Sequence, residues 1–195
     1  MIISALRNII CFFGLLIIAP IICIVSIAVM LEDGYPFFFK QKRIGLDQKT
    51  FTIYKVRTLK KNAPQVGTHD LSDDFKLKTG KIIRKFKLDE FPQLINVLKG
   101  DINLIGPRPG LISQTELEDA RLLHGIHKIK PGITGLSQIL GYDMSNPQLL
   151  AQIDLQYIKN KSFKIDMIIL IATFISFPRQ FLKNKLNIVN IVDNL

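Results

Sequence analysis

The sequence predicts an α+β fold: a small, mainly helical, membrane-associated domain with a short β-hairpin. Three observations lead there. A long uncharged apolar stretch lies near the N-terminus, two β-rich runs flank a turn after it, and short helical patterns separated by Gly/Pro loops follow. The 195 residues suit one compact domain at ~150 residues per domain, and a hydrophobic content of 48% supplies the core that a disordered chain lacks.

Ile9 to Leu31 is a run of 23 residues with no charge, enough to cross a hydrocarbon layer of ~30 Å as a straight helix. Pro20 sits in its middle, removes one backbone hydrogen bond and predicts a kink at Ala19-Pro20. Two topologies follow: an ordinary spanning anchor, or a re-entrant helix whose two arms of about eleven residues enter and leave one leaflet. The run exceeds the usual apolar region of a secretory signal, ~7–15 residues, so the segment is expected to stay attached. Lys40, Lys42, Arg43, Lys49, Lys55, Arg57, Lys60 and Lys61 follow it, and the positive-inside bias places them on the cytoplasmic side. The organisation expected is a membrane-embedded helix over 1–33 and a cytosolic body over 34–195. A second apolar run, Met167 to Phe177, is too short to span and reads either as an interfacial helix or as a core helix.

Within the body, Phe37 to Arg43 and Thr50 to Thr58 predict a hairpin about Gly45 and Asp47. Residues 62–74 read as an exposed loop entering a helix. Lys76 to Lys87 carries six basic residues and no acidic one, a pattern usual for a solvated helix face. It runs into Leu88-Asp89-Glu90-Phe91-Pro92, where Pro92 suits the first turn of a helix that Gly100 ends. Asp89 and Glu90 then fall beside a helix N-terminus, where carboxylates commonly serve only as caps. Beside Arg84 they have a second use: one carboxylate can attack phosphorus while its neighbour holds a divalent cation. Pro107 and Pro109 fix the backbone around Arg108, which suits either a phosphate-binding fork or a structural turn. Pro131 to Gly135 forms another loop shaped by Pro and Gly.

Other features exclude more than they suggest. Cys11 and Cys23 share the apolar stretch, away from any His or carboxylate, and support neither a disulfide framework nor a thiolate metal site. His124 and His127 lack a third ligand for zinc. Asn160-Lys161-Ser162 is a glycosylation sequon by pattern only. A formal charge of +10 favours anionic partners, yet no nucleic-acid recognition motif accompanies it, so nucleic acid is not expected.

Taken in order, these pieces resemble the bacterial sugar transferase family, the monotopic polyprenyl-phosphate phosphoglycosyl transferases. The likeness covers Leu15 to Thr173. It rests on Pro20 in the apolar helix, Gln41-Lys42-Arg43-Ile44-Gly45, Phe51 to Thr58, Arg84 with Leu88 to Gln93, Asn96 to Asp101, Gly106-Pro107-Arg108-Pro109, Pro131 to Gly135 with Gln138, and Tyr157 to Asp166. Two positions depart from the family pattern: Ala19 replaces the Ser of a Ser-Pro break, and Tyr142 follows Gly141 where many relatives carry Arg. The resemblance implies a re-entrant N-terminal helix with a helical break at Ala19-Pro20, interfacial helices, and a place at the cytoplasmic face of the bacterial inner membrane. It implies transfer of a sugar-1-phosphate from a UDP-sugar to polyprenyl (undecaprenyl) phosphate with release of UMP, as a first membrane step of glycan assembly. Asp89 would be the nucleophile in a ping-pong reaction and Glu90 the Mg²⁺ ligand, while Arg84, Arg108, Lys55 and Arg57 would contact phosphate oxygens. Homo-oligomerisation is left open. Two other classes of function also fit parts of the sequence: a non-catalytic basic scaffold on the membrane, and a glycosyltransferase that releases UDP.

Overall fold

A computed structural model describes residues 2–64, 72–176 and 178–193 of the chain. Positions 65–71 of the loop expected over 62–74, and Phe177 at the end of the second apolar run, lie outside them. The chain divides into two compact units, Met1–Gln41 with Thr52–Gly100 and Lys42–Phe51 with Asp101–Leu195.

The first unit is built on α1 (Ile2–Asp33), one continuous helix with Pro20 inside it. The helix runs unbroken through Ala19-Pro20, where a break is expected. Over Ala5–Asp33 it is long and apolar enough to cross a membrane. Only one stripe is covered: Ile22, Val25 and Val29 pack with Phe37, Phe38, Val56, Leu77, Ile83 and Leu88. Ile17, Ile24 and Leu31 on other faces are 75%, 68% and 84% exposed, far beyond what a water-facing helix surface carries. The hairpin of β1 (Phe38–Ile44) and β2 (Thr50–Val56) matches the expected runs within a residue or two. Its tip contains the short 3-10 turn Leu46–Gln48, with Asp47 and Gln48 at positive φ, and belongs to the second unit.

α2 (Lys78–Lys85) is shorter than the basic run that predicts it, and it buries Gly80 and Ile83. A Cβ at Gly80 would collide with the Thr58 carbonyl, so glycine is required where this helix crosses the strand end. The expected helix start at Pro92 is replaced by a 3-10 turn, Leu88–Gln93, that continues into α3 (Leu94–Lys99). Pro92 lacks an N–H to donate in either geometry, which the tighter turn tolerates near its end. Gly100 closes α3 in the left-handed region at φ 81°.

Asn96 ties these elements together. It is fully buried, its Nδ2 donates to the Thr52 carbonyl at 2.7 Å, and its Oδ1 accepts from the Tyr54 amide at 3.2 Å. One side chain thus satisfies two backbone groups of β2 and fixes that strand against α3.

In the second unit, β3 (Asn103–Ile105) and β4 (Gly132–Thr134) form a parallel pair joined through α4 (Thr115–Leu123). This pair replaces the loops read from the sequence there. The two Gly/Pro motifs meet backbone to backbone: the Gly106 amide donates to the Thr134 carbonyl at 2.9 Å, and the Gly132 amide to the Pro107 carbonyl at 2.9 Å. A side chain at Gly132 or Gly135 would strike the Gly106 backbone, so the glycines reflect close approach. α5 (Leu136–Leu140), α6 (Pro147–Asn160), α7 (Phe163–Phe174), α8 (Pro178–Lys185) and α9 (Ile188–Asp193) surround a core that includes Leu136, Ile153, Tyr157, Ile169 and Leu182. α7 buries Ile165, Ile169 and Ala172 but leaves Phe163, Ile171 and Phe174 exposed, so the second apolar run has both a core face and an exposed face.

Asn96→Leu keeps most of the volume and strands the two β2 backbone groups. Loss of about 1–3 kcal/mol is expected from the unsatisfied pair, measured by thermal or denaturant unfolding of the detergent-solubilised chain; an unchanged midpoint would exclude Asn96 as the tie.

Candidate active site

Four of the residues singled out in the sequence converge in the first unit. The 3-10 turn after α2 carries Asp89 and Glu90, β2 supplies Lys55, and the last turn of α2 supplies Arg84. Lys55 Nζ donates to Glu90 Oε1 at 2.8 Å, with both side chains largely buried. Arg84 is oriented through its Nε, which donates to Thr58 Oγ1 at 2.8 Å. Asp89 is only 9% exposed. Burial pushes its carboxyl above the usual range, Glu90 adds to that, and the charges of Lys55 and Arg84 act in the opposite direction. A carboxylate held with little hydration is a stronger nucleophile than one in water, and the nearby charges of Lys55 and Arg84 favour an anionic substrate.

Lys87, just before the turn, adopts a left-handed backbone at φ 55°, which turns the chain sharply from α2 into Leu88–Gln93. This bend lets residues four and five apart in sequence, Arg84 against Leu88 and Asp89, belong to different elements of one cluster.

Arg57 is placed differently from the phosphate contact inferred for it. Its guanidinium is 7% exposed and pairs with the Asp33 carboxylate, while also donating to the Gly34 carbonyl. It clamps the strand end to the C-terminus of α1. Ala19 and Pro20 lie exposed on α1.

Arg108 belongs to the second unit. Its loop is held by the hairpin tip: Arg43 Nη1 donates to the Pro109 carbonyl at 3.2 Å, and the Ile44 amide to the Gly110 carbonyl at 3.1 Å. Burial, with Arg108's charge nearby, brings the Arg43 guanidinium down to about 10, still fully charged at neutral pH. Beneath the loop, Arg121 Nη2 pairs with Asp154 Oδ2 at 2.6 Å, and a side chain at Gly110 would strike Glu118. His127 Nε2 lies 3.3 Å from Glu118 Oε2, and His124 follows the end of α4, so the two histidines are parts of different turns.

Asn96, Thr58 and Arg43 carry positions in these sites that the sequence reading assigns no role. Each acts through a partner distant in sequence, 42 and 44 residues for Asn96, 26 for Thr58 and 66 for Arg43. Their presence inside the motifs is the only sequence signal that marks them.

Among the described residues no group of three His, Cys, Asp or Glu side chains is arranged to hold a metal ion. The adjacent carboxylates of Asp89 and Glu90 are hard oxygen donors. They fit Mg²⁺ bound as that ion usually is, by one or two carboxylates with substrate phosphates and water completing the shell.

A sequence model of the bacterial sugar transferase family matches residues 2–180, and the chain belongs to that family. It is thus a transferase. It is 44% identical over 161 residues to an uncharacterized sugar transferase, EpsL, of Bacillus subtilis (strain 168), covering 82% of this chain and 79% of that protein. It is 36% identical over 169 residues to the UDP-glucose:undecaprenyl-phosphate glucose-1-phosphate transferase of Escherichia coli (strain K12), covering 82% of this chain but 36% of that protein. A UDP-N-acetylgalactosamine-undecaprenyl-phosphate N-acetylgalactosaminephosphotransferase of Aeromonas hydrophila matches at 36% over 163 residues, 80% of this chain and 38% of its own length. The chain therefore spans little more than a third of these two larger relatives.

Because the folded state disfavours the Asp89 carboxylate, its cost is absent below the ordinary Asp range near ~3.9 and present at neutral pH. Asp89→Asn is expected to raise Tm at neutral pH, by about 2–4 °C per kcal/mol relieved, with the gain vanishing at low pH. A melting comparison at the two pH values checks this; a lower Tm for the variant at neutral pH would contradict it.

Proposed function

We propose that the chain transfers a sugar-1-phosphate from a UDP-sugar to polyprenyl phosphate at the cytoplasmic face of a bacterial inner membrane. The observation that carries this reading is the buried Asp89 carboxylate held beside Lys55, Glu90 and Arg84 in a member of the sugar transferase family. The printed activities of the Escherichia coli and Aeromonas hydrophila relatives support the substrate classes.

The chemistry proceeds in two displacements. An Asp89 oxygen attacks the β-phosphorus, the bond from that phosphorus to the bridging oxygen breaks, and UMP leaves with the electron pair. The sugar-phosphoryl group is then an acyl phosphate on Asp89. A terminal oxygen of polyprenyl phosphate attacks the same phosphorus, the acyl phosphate bond breaks, and the carboxylate is regenerated as polyprenyl-diphosphate-sugar departs. Two steps let a soluble donor and a lipid acceptor use one site in turn. Lys55 and Arg84 hold non-bridging oxygens through charge-assisted hydrogen bonds. Glu90 would hold Mg²⁺, which when bound would offset charge on the transferred phosphoryl group.

The membrane topology proposed is monotopic. α1 packs with α3, and a Cβ at Gly14 would lie 3.7 Å from Leu94 Cδ1, while at its other end Glu32 and Asp33 bind α2 and Arg57. Both the middle and the C-terminal end of α1 thus touch the same unit that holds Asp89. A helix perpendicular to the bilayer would carry α3, with Lys99 exposed on it, into hydrocarbon, where a charged side chain is costly.

The deciding assay incubates purified protein with Mg²⁺, undecaprenyl phosphate and a panel of UDP-sugars, and identifies the nucleotide released. UMP is expected, with Asp89→Asn reducing turnover at least ~10³-fold and abolishing covalent labelling by donor sugar, and with Glu90→Gln weakening the Mg²⁺ dependence. Turnover is expected to fall as pH drops through a value above the ordinary Asp range, since protonation removes the nucleophile. Release of UDP would mean glycosidic transfer, and silence from folded protein across the panel would favour a scaffold.

For topology, a single cysteine at Leu6 in a chain lacking Cys11 and Cys23 should react with impermeant reagent from the cytoplasmic side of inverted vesicles. Reaction from the periplasmic side would establish a spanning helix.

A further inference from the structure

Thr58 touches α2 at three places along one face. Its carbonyl oxygen accepts from the Leu77 amide at 3.1 Å, just before the helix begins. One turn on, a Cβ at Gly80 would collide with that same oxygen, so the helix rests directly on the strand end. A further turn on, the Thr58 hydroxyl accepts from Arg84 Nε at 2.8 Å. Spacings of three and four residues put 77, 80 and 84 on one stripe of a helix. The start of α2 is held as well: Glu32 of α1 accepts from the amides of Lys78 and Thr79, at 2.6 Å and 2.9 Å. The helix can therefore neither slide along Thr58 nor turn about its own axis without breaking one of these contacts.

The hydroxyl contact is the one that packing does not require. Gly80 and Ile83 bury the helix against the strand end, and the backbone bond to Leu77 needs no particular side chain at position 58. What the hydroxyl adds is the direction of a guanidinium. That group is planar, and a bond at Nε fixes its plane and with it the aim of both terminal nitrogens. A hydroxyl carries no charge, so this bond orients Arg84 without neutralising it, unlike the carboxylates that pair with Arg57 and Arg121. Thr58 is 5% exposed, which keeps water from competing for the bond. Three residues earlier on the same segment, Lys55 reaches Glu90 at 2.8 Å. One stretch of chain, Lys55 to Thr58, thus sets the positions of both cations whose charges act on Asp89.

We propose that Thr58 is a positioning residue, whose hydroxyl fixes the guanidinium plane of Arg84 beside Asp89 for the phosphoryl oxygens of the UDP-sugar. The proposal rests on the reaction proposed above and adds to it a residue that acts only through Arg84. A guanidinium oriented in advance has little freedom left to lose when charge develops on the phosphoryl group, so its disorder is felt in kcat more than in KM for the donor.

Thr58→Val removes the hydroxyl at nearly constant volume, and Thr58→Ser keeps it. The full chain with isotopically labelled arginine is solubilised in detergent, and the NMR signal of the Arg84 Nε–H is assigned by its loss in Arg84→Met. Slow exchange of this proton with water is expected in the wild type and in Thr58→Ser, and exchange as fast as that of an exposed arginine in Thr58→Val. Fast exchange in the wild type would overturn the proposal, whether or not any variant folds. In UMP release from the UDP-sugar panel, Thr58→Val is expected to lower kcat by about 10- to 100-fold, with KM for the donor nearly unchanged. Thr58→Ser should restore most of that rate. In an Arg84→Met background, Thr58→Val should remove no further activity. A further loss of the same size would mean that Thr58 acts apart from Arg84, which overturns the proposal. Turnover of Thr58→Val at the wild-type rate would overturn it too, and leave the reaction standing. A wild-type chain that releases no UMP while its Arg84 signal is protected would overturn the reaction, and with it the role of Thr58 in that reaction.

Discussion

Asn96 uses both ends of its amide on the backbone of one strand, and the candidate site depends on that pair of hydrogen bonds. It sets β2 against α3, which places Lys55 opposite the turn that carries Glu90 and Asp89. Apolar packing alone leaves a strand free to slide by a residue pair, since period-two alternation repeats. A directional polar tie between Thr52 and Tyr54 removes that freedom. The result is a carboxylate at low hydration with its counter-charges already oriented, so little reorganisation is left for an incoming phosphate. Burial of a charge is unfavourable to folding, and here it coincides with the residue to which we assign the chemistry.

The second unit reaches rigidity by another route. Its two Gly/Pro motifs are pressed together until only glycine fits, and Arg43 reaches from the hairpin tip to the carbonyl of Pro109. The prolines around Arg108 restrict the loop from within, and Arg43 restricts it from outside. The charges of Arg43 and Arg108 act on one another and raise the local positive potential of the loop.

Local chemistry made the hairpin, the apolar helix, the basic helix and the cap at Gly100 legible from sequence. Alternation, an uncharged run and a left-handed glycine each leave a mark within a few residues. The pairing of β3 with β4 left none, because three-residue strands have no alternation to read and their partners lie on either side of α4. The 3-10 turn at Asp89 was hidden for a similar reason: Pro92 marks a helix start in sequence, whereas tertiary packing of α2 and α3 decides how tightly the preceding turn winds. The cluster of Asp89, Glu90 and Arg84 could be anticipated because these residues are neighbours in the chain. Thr58 and Asn96 could not, since their partners are distant. Arg57 shows the limit of reading charge: a basic residue read as a phosphate contact is paired with Asp33.

The contacts along α1 have a geometric corollary. Gly14 faces Leu94 and Glu32 holds the start of α2, eighteen residues apart, or about 27 Å of straight helix. Both attachments stand on the same helical rod, so α1 acts as a ruler with the carboxylate turn fixed between two of its marks. One residue inserted between them would rotate one mark by about 100° relative to the other. The helix sequence thereby sets the orientation of α2 against the carboxylate turn as well as the apolar surface that α1 exposes.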